Sequence, residues 1–310
     1  MCNAGVDQMR TCPLCGGKSR GMAFPYRTKF NNIVFKYLRC SGCSSVFVDP
    51  IPDGQTVSRM YAKSNYHDCH YDGKSREAHL ESVRLLSGYI TPGSLVLDFG
   101  CGLGAFLKAL ATAGFVPYGV DFDQDAANFA GKNAGCETMT TEQFLARPDK
   151  DLFDAVYLGD VLEHLPDPAG TLRQLLTFLK SGGVLFCEGP LEIQQSLVYW
   201  AALLYGAIKR RARPRYFGEN PPTHLFRTGA KQQLAFFRRV APSLGLKEWQ
   251  VYESGWPYIN GGGVKRAIAK LAIWLGGRRF FGEVCGNRFR AIFVIGAVRT
   301  MQQSPPTSSE

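Results

Sequence analysis

Residues 95–107, LVLDFGCGLGAFL, constrain this chain more than any other stretch. A short apolar run of buried-strand type ends in Asp98, glycines follow at 100, 102 and 104, and an apolar helical pattern begins directly after them. Glycines let a backbone take positive φ and approach a ligand closely, and the start of a helix offers N–H groups that have no partner within it. The chain then keeps the same rhythm. VPYGVDF, DAVYLGD and GVLFCEGP read as strands, and AFLKALATAG, DQDAANFAGKNAG and PAGTLRQLLTFLKSGG as helices closed by glycine. SREAHLESVRLLSGYI precedes them as a helix with Ser75 at its N-cap, and AKQQLAFFRRVAPSLGL comes later as a helix capped by Thr228. Strands alternating with helices of this length specify an α/β fold, a Rossmann-like, mostly parallel sheet with helices on both faces.

The glycine spacing bears on the ligand. A dinucleotide turn reads G-x-G-x-x-G and places a pyrophosphate on the helix N-terminus. Here the pattern is G-x-G-x-G, with an acid two residues before the first glycine. Asp98 would repel a pyrophosphate but can orient an ammonium group, which favours a ligand with an amino-acid end such as S-adenosylmethionine. The next strand ends in GVDFD, where Asp121 is placed to accept both ribose hydroxyls and Phe122 to cover one adenine face. Asp123 or Asp125 is the expected cap of the helix after it.

The chain has ten cysteines, four of them in two C-x-x-C pairs, Cys12 with Cys15 and Cys40 with Cys43. Two such turns can complete a tetrahedral zinc site, closed and therefore structural rather than catalytic. The alternative is unmetallated thiols packing as small apolar groups. Cys2, Cys69, Cys101, Cys136, Cys187 and Cys285 are scattered.

With these motifs together, the chain resembles class I S-adenosylmethionine-dependent methyltransferases. VLDFGCGLG is similar to their first motif, GVDFD to the segment with the ribose-binding acid, FDAVYLGDVLEHLPDP to the fourth-strand motif, and LKSGGVLFCEGP to the helix end and fifth strand beyond that motif. The likeness is strong over about residues 75–190 and weaker over two late strands, LKEWQVYES and NRFRAIFVIGAVR. It implies a seven-stranded sheet with an antiparallel final strand, no covalent catalysis, and a cofactor site lined by Gly100, Gly102, Asp121 and Gly159, with Cys101, Gly104 and Asp160 beside them. The cysteine-bearing start resembles the zinc-binding segment of bacterial methyltransferases that act on sugars or natural products. The expected organisation is a zinc ribbon over 1–50, a linker and helical cap over 51–90, a methyltransferase domain over 91–298 with insertions at about 191–226 and 256–284, and a disordered tail over 299–310.

Transfer to a hydroxyl needs a base, and histidine suits it because its ordinary pKa lies near neutrality. His224, in NPPTHLFRTG, is the first candidate. Sugar-methylating relatives carry a Glu-His pair in a similar segment, but Thr223 stands in the Glu position here. His164 is the second. If DVLEHLPDP turns helically, Asp160, Glu163 and His164 share one face, and the cluster resembles the E-x-x-E-H magnesium site of some O-methyltransferases. A packing or capping role is favoured over magnesium. Tyr66 resembles tyrosines that close over the cofactor ahead of the core.

Charge divides the chain unevenly. Residues 1–192 hold 18 Lys and Arg against 21 Asp and Glu, while residues 193–310 hold 18 against 5. Two apolar segments, SLVYWAALLYGAIKRR and VKRAIAKLAIWLGGRR, run into or carry basic clusters there. Neither approaches the ~20 residues that span a bilayer. The first reads as a core or lid helix, with an interfacial helix on anionic lipid as the sharper alternative. Without a signal-like N-terminus the expected location is cytoplasmic, with peripheral contact at the inner membrane surface open. A small-molecule acceptor is the expected partner: a sugar, a polysaccharide or lipid-linked precursor, or a secondary metabolite. RNA gripped by the ribbon and the basic third is the second reading. It is disfavoured because these features lie at opposite ends of the chain and no N-P-P-Y base-flipping motif is present. A non-catalytic cofactor-binding scaffold is the third.

Overall fold

The computed structural model describes residues 10–61, 75–212, 218, 220–280 and 282–296. Tyr66, Cys2, Cys69 and the expected disordered tail lie outside the described residues.

The N-terminal part is built on strands β1 (Ser19–Phe30), β2 (Ile33–Cys40) and β3 (Val46–Asp49), after which comes helix α1 (Gly54–Met60). Helix α2 (Ser75–Leu86) leads into the main sheet, where β4 (Leu95–Phe99), α3 (Ala105–Thr112), β5 (Val116–Asp121), α4 (Gln124–Ala134), β6 (Glu137–Thr140), α5 (Thr141–Leu145), β7 (Phe153–Gly159), α6 (Pro168–Leu176) and β8 (Leu179–Pro190) alternate. The remaining elements are α7 (Leu197–Ala212), β9 (Phe226–Arg227), α8 (Ala230–Val240), β10 (Leu244–Tyr252), α9 (Gly263–Leu275), a two-stranded ribbon of β11 (Arg279–Phe280) and β12 (Glu283–Val284), and β13 (Arg288–Ile295).

Seven strands join in the order β10-β13-β8-β7-β4-β5-β6. β4 to β8 pair in parallel, and β13 runs antiparallel between β8 and β10. The expected mostly parallel sheet with an antiparallel final strand is therefore present. Successive strand residues face opposite sides. Val96, Val184 and Ile292 pack with Val83 and Leu86 of α2 and Phe106 and Leu110 of α3, whereas Leu97, Leu185 and Phe293 pack with Leu172 and Leu175 of α6 and Phe236 and Phe237 of α8. All these side chains are buried.

Three local expectations change. The helix before β8 stops at Leu176, and Leu179 already pairs with Phe153, so the SGG segment belongs to an irregularity within β8 rather than to a helix end. Phe178, buried against the Phe144 ring 4.5 Å away, anchors that early stop. The N-cap of α8 is Gly229, not Thr228, whose hydroxyl instead donates to Gln233 Oε1 at 2.8 Å. The segment SLVYWAALLYGAI is not a core helix, because only Val198 of α7 is buried.

The ribbon sheet has a member from far along the chain. Its order is β1-β2-β3-β9, with Phe47 opposite Phe226 and Val46 opposite Arg227. The N-terminal unit is thus laced to the segment just after His224.

Candidate active site

The glycine turn has the conformation its composition requires. Gly100, Gly102 and Gly104 all have positive φ, at 87°, 52° and 79°. A Cβ on Gly100 would lie 2.5 Å from Val161 Cγ2, and one on Gly104 would lie 2.9 Å from the Ala130 backbone. The turn is also tied to the next strand, since the Gly102 N–H donates to Asp121 Oδ2 at 2.8 Å and the Asp123 N–H to Oδ1 at 3.0 Å. Asp123 caps α4 by accepting from the Asp125 N–H at 2.8 Å. Cys101 is buried in a small cluster with Leu107 and Ala130, so its side chain serves packing.

Asp98 is 2% exposed, and burial pushes its carboxyl well above the ordinary range, with the Asp121 and Glu188 carboxylates adding to the effect. A carboxyl in that state gains most from a cation placed nearby. A sulfonium carrying an ammonium end is such a cation. Phe122 is half exposed beside the turn, with its ring edge-on to Tyr61 at 5.7 Å. The residues therefore fit S-adenosylmethionine: a buried acid held above its ordinary pKa, a cradle without Cβ atoms, a carboxylate at the end of the next strand and a half-exposed aromatic ring.

Glu188 sits at the end of β8 and accepts from Tyr157 Oη at 2.5 Å, Ser82 Oγ at 2.9 Å and Arg290 Nε at 2.9 Å. Next to it, after Gly159 ends β7, Asp160 takes φ 54° and accepts both hydrogen bonds from Arg288 Nη2, at 2.8 and 2.7 Å.

The segment after Asp160 turns as a 3₁₀ helix, Leu162–His164, rather than an α-helix. With its carboxylate committed to Arg288, Asp160 is not the partner of Glu163 and His164. That place is taken by His224: ligand atoms of Glu163, His164 and His224 lie within 4.8 Å of one another. Glu163 Oε1 is buried without a hydrogen-bond partner. Burial and the nearby Asp160 push the Glu163 carboxyl up to about 8. His164 is held neutral, its pKa lowered to about 3 by burial and by His224. Its Nδ1 lies 2.7 Å from the Thr223 carbonyl oxygen, which can only accept, so Nδ1 carries the proton and Nε2 keeps a lone pair.

His224 has an acid after all, supplied from another element. Its Nδ1 lies 2.8 Å from Glu192 Oε2, just beyond β8. Burial opposes charge on His224, but the Glu192 carboxylate outweighs it and raises the pKa above the ordinary value. Arg227 lies 3.4 Å from the other Glu192 oxygen, and despite burial it holds that carboxyl at about 2. Thr223, in the position where the resemblance expected a Glu, contributes only its carbonyl. Glu192 was invisible as a partner because 32 residues separate it from His224.

Tyr61 bridges the two halves of the site. Its hydroxyl donates to the Thr223 carbonyl at 2.6 Å and lies 2.9 Å from His164 Nδ1, while its ring meets Phe122. The resemblance points to Tyr66 among the tyrosines ahead of the core and gives no sign of Tyr61, which only its long-range contacts identify.

At the other end, the four ribbon thiols converge, with Cys12 Sγ 3.9 Å from Cys43 Sγ and Cys15 Sγ 3.4 Å from Cys40 Sγ. The edge of a tetrahedral zinc–thiolate site is about 3.8 Å, given Zn–S bonds of about 2.3 Å. Cys43 is lowered to about 4, its neighbour Cys12 donating to it. The cluster fits a small zinc ribbon.

Comparison with known proteins places these features. A family described as "Methyltransferase domain" matches residues 71–222. The ubiquinone biosynthesis O-methyltransferase of Pasteurella multocida is 30% identical over 130 residues, covering 37% of this chain and 52% of that protein. The enzyme of the same name from Thiobacillus denitrificans is 34% identical over 101 residues, covering 30% and 43%. The chain thus spans about half the length of the curated relatives it matches. Among solved structures, a SAM-dependent methyltransferase from Archaeoglobus fulgidus aligns with TM-score 0.47 and 17% identity over 71% of this chain and 94% of that one. This chain carries a class I methyltransferase domain of the S-adenosylmethionine-dependent kind.

Proposed function

We propose that the chain transfers a methyl group from S-adenosylmethionine to a hydroxyl of a small-molecule acceptor, with His224 as general base, and that Cys12, Cys15, Cys40 and Cys43 hold a structural zinc. The observation that carries the reading is the His224–Glu192 pair, whose histidine meets the His164 ring at 4.8 Å and, through Tyr61, is linked to Phe122. The curated relatives are O-methyltransferases by name, which supports an oxygen acceptor.

The cofactor supplies an electrophilic methyl group, so the protein needs only to orient, desolvate and remove a proton. Asp98 and the glycine turn hold the amino-acid end, Asp121 the ribose, and Phe122 the adenine. Glu192 accepts from His224 Nδ1–H and fixes the tautomer, which leaves Nε2 to take the acceptor's proton. The resulting imidazolium is stabilised by the Glu192 carboxylate, itself kept ionised by Arg227. Protonated Glu163 and the lone pair on His164 Nε2 offer one donor and one acceptor to the substrate. Glu163, His164 and His224 would also suit a divalent cation, and chelation distinguishes the two uses.

The test is calorimetric titration with S-adenosylmethionine together with transfer of isotopic methyl to a panel of sugar and phenolic alcohols. Binding with hydroxyl transfer that His224→Gln abolishes supports the reading. Transfer unaffected by that change would overturn the role of His224, and absence of cofactor binding would overturn the whole.

A further inference from the structure

Helices α7 and α9 pack against each other, and each leaves an apolar stripe in solvent. On α7 the stripe is Trp200, Leu204 and Ile208, spaced four residues apart on one face; on α9 it is Val264, Leu271 and Trp274, seven and then three apart. All six side chains are more than half exposed. The inward side of α9 is instead made of small residues, Ala269 and Ala272, both buried. A soluble surface rarely places its largest apolar groups on the outer face while packing alanines inward.

The charge around these stripes has one sign. Lys209, Arg210 and Arg211 close α7, Lys265, Arg266 and Lys270 lie along α9, and Arg278 and Arg279 come just after it. Neither residues 193–212 nor residues 254–280 contain an Asp or Glu. The Arg278 guanidinium lies 3.7 Å from the Trp274 ring centroid, joining a cation to an aromatic ring. Tyr205, also largely exposed, adds a third amphipathic ring beside the two tryptophans. Such rings favour the boundary between water and lipid.

We infer that α7 and α9 form a docking face for an anionic bilayer surface, with the apolar stripes entering the headgroup boundary and the cations meeting lipid phosphates. No helix among the described residues is long and apolar enough to cross a membrane, so the contact is in-plane. Charge decides between occupants. A second copy packed across a two-fold axis would set eight cations against the same eight. A nucleic acid would engage the cations but leave Leu204, Ile208, Val264 and Leu271 against wet phosphates. An anionic bilayer satisfies both sets of groups. The face is also close in sequence to the acceptor side of the site, since only four residues separate Glu192 from the start of α7. This inference does not depend on the identity of the acceptor.

The experiment is flotation of the full chain with vesicles of phosphatidylcholine alone and of phosphatidylcholine with phosphatidylglycerol, across a salt series. The expected result is binding to the anionic vesicles only, lost as salt rises, and weakened roughly fivefold for each cation removed, as in Arg211→Ala or Lys270→Ala. Leu204→Glu and Trp274→Glu should abolish flotation while S-adenosylmethionine affinity stays unchanged, which shows the variants are folded. Failure of the unaltered chain to float with anionic vesicles at low salt overturns the inference without touching the methyltransferase reading. So does a dimer in light scattering that Leu204→Glu dissolves while vesicle binding is absent.

Discussion

His224 Nδ1 and Glu192 Oε2 are 2.8 Å apart, although one belongs to the loop before β9 and the other to the segment just beyond β8. The pair gives a histidine that sequence leaves without an acid the orientation that the proposed base requires. Its first consequence is kinetic. His224→Gln should lower kcat by about 10²–10⁴-fold, the usual worth of a general base, with little change in cofactor affinity. Glu192→Gln should also lower kcat and should move the acidic limb of the pH–rate profile to lower pH, because the carboxylate that raises the His224 pKa is gone. Rate profiles of the two variants decide this, and an unmoved limb in Glu192→Gln would disprove the pairing.

Cofactor affinity should depend on Asp121 in two ways. Its carboxylate is the group proposed to bind the ribose, and it also holds the Gly102 N–H. Loss of a charged hydrogen-bonding group costs about 1.5–3 kcal/mol, so Asp121→Ala should weaken S-adenosylmethionine binding by roughly 10–150-fold. Titration calorimetry gives the number, and a change below twofold would remove Asp121 from the site.

Gly104→Ala tests the turn itself. At φ 79°, with Ala130 backbone 2.9 Å from the added carbon, the methyl group must displace α4 or strain the turn. A cost of about 1–3 kcal/mol is expected, readable as a lower midpoint of thermal unfolding. Gly135→Ala is the comparison, since that position also has positive φ but an open surrounding, and it should cost less.

His164 gives a pH-dependent stability. Its folded pKa, lowered to about 3 by burial and His224, lies below its ordinary value of 6.5. The unfolded chain therefore binds a proton that the folded chain refuses throughout that interval. Stability supplied by keeping His164 neutral is fully present above about 6.5 and declines as pH falls toward about 3. Denaturant titrations of the protein and of His164→Gln should differ in slope across that window and run parallel above it.

Metal removal separates the two donor clusters. Elemental analysis should find one zinc per chain, lost in Cys40→Ser together with thermal stability. Mild chelation should leave methyl transfer intact if Glu163, His164 and His224 act on the acceptor alone, and should abolish it if they hold a catalytic cation.

The groups proposed for the cofactor were legible in the sequence because they are local. Asp98 and the three glycines fall within seven residues, and Asp121 comes after a single helix. The ribbon cysteines were legible for the same reason, two per turn. The groups proposed for the acceptor were not, because they come together beyond the ends of β7 and β8 from segments far apart in the chain. Glu192, Tyr61 and Arg288 reach His224, His164 and Asp160 only through tertiary contacts. Helical periodicity misread residues 160–164, where a positive φ at Asp160 and a 3₁₀ turn send its carboxylate to Arg288. Apolar content alone likewise could not say whether α7 faces inward.

The pairing of β3 with β9 ties the four-cysteine ribbon to the segment that carries His224. Val48 N–H donates to the Leu225 carbonyl at 3.0 Å, and Leu225 N–H to the Glu163 carbonyl at 2.7 Å. His224 is therefore splinted between the ribbon and the 3₁₀ turn by its immediate neighbour. Removing the first fifty residues would not trim a tag from an enzyme. It would take away the sheet whose strand β3 holds Phe226 and Arg227 in register, and with it the rigidity of His224, two residues before Phe226. A zinc held by the four ribbon thiols would act as a brace, and its loss would be felt first as a slack histidine.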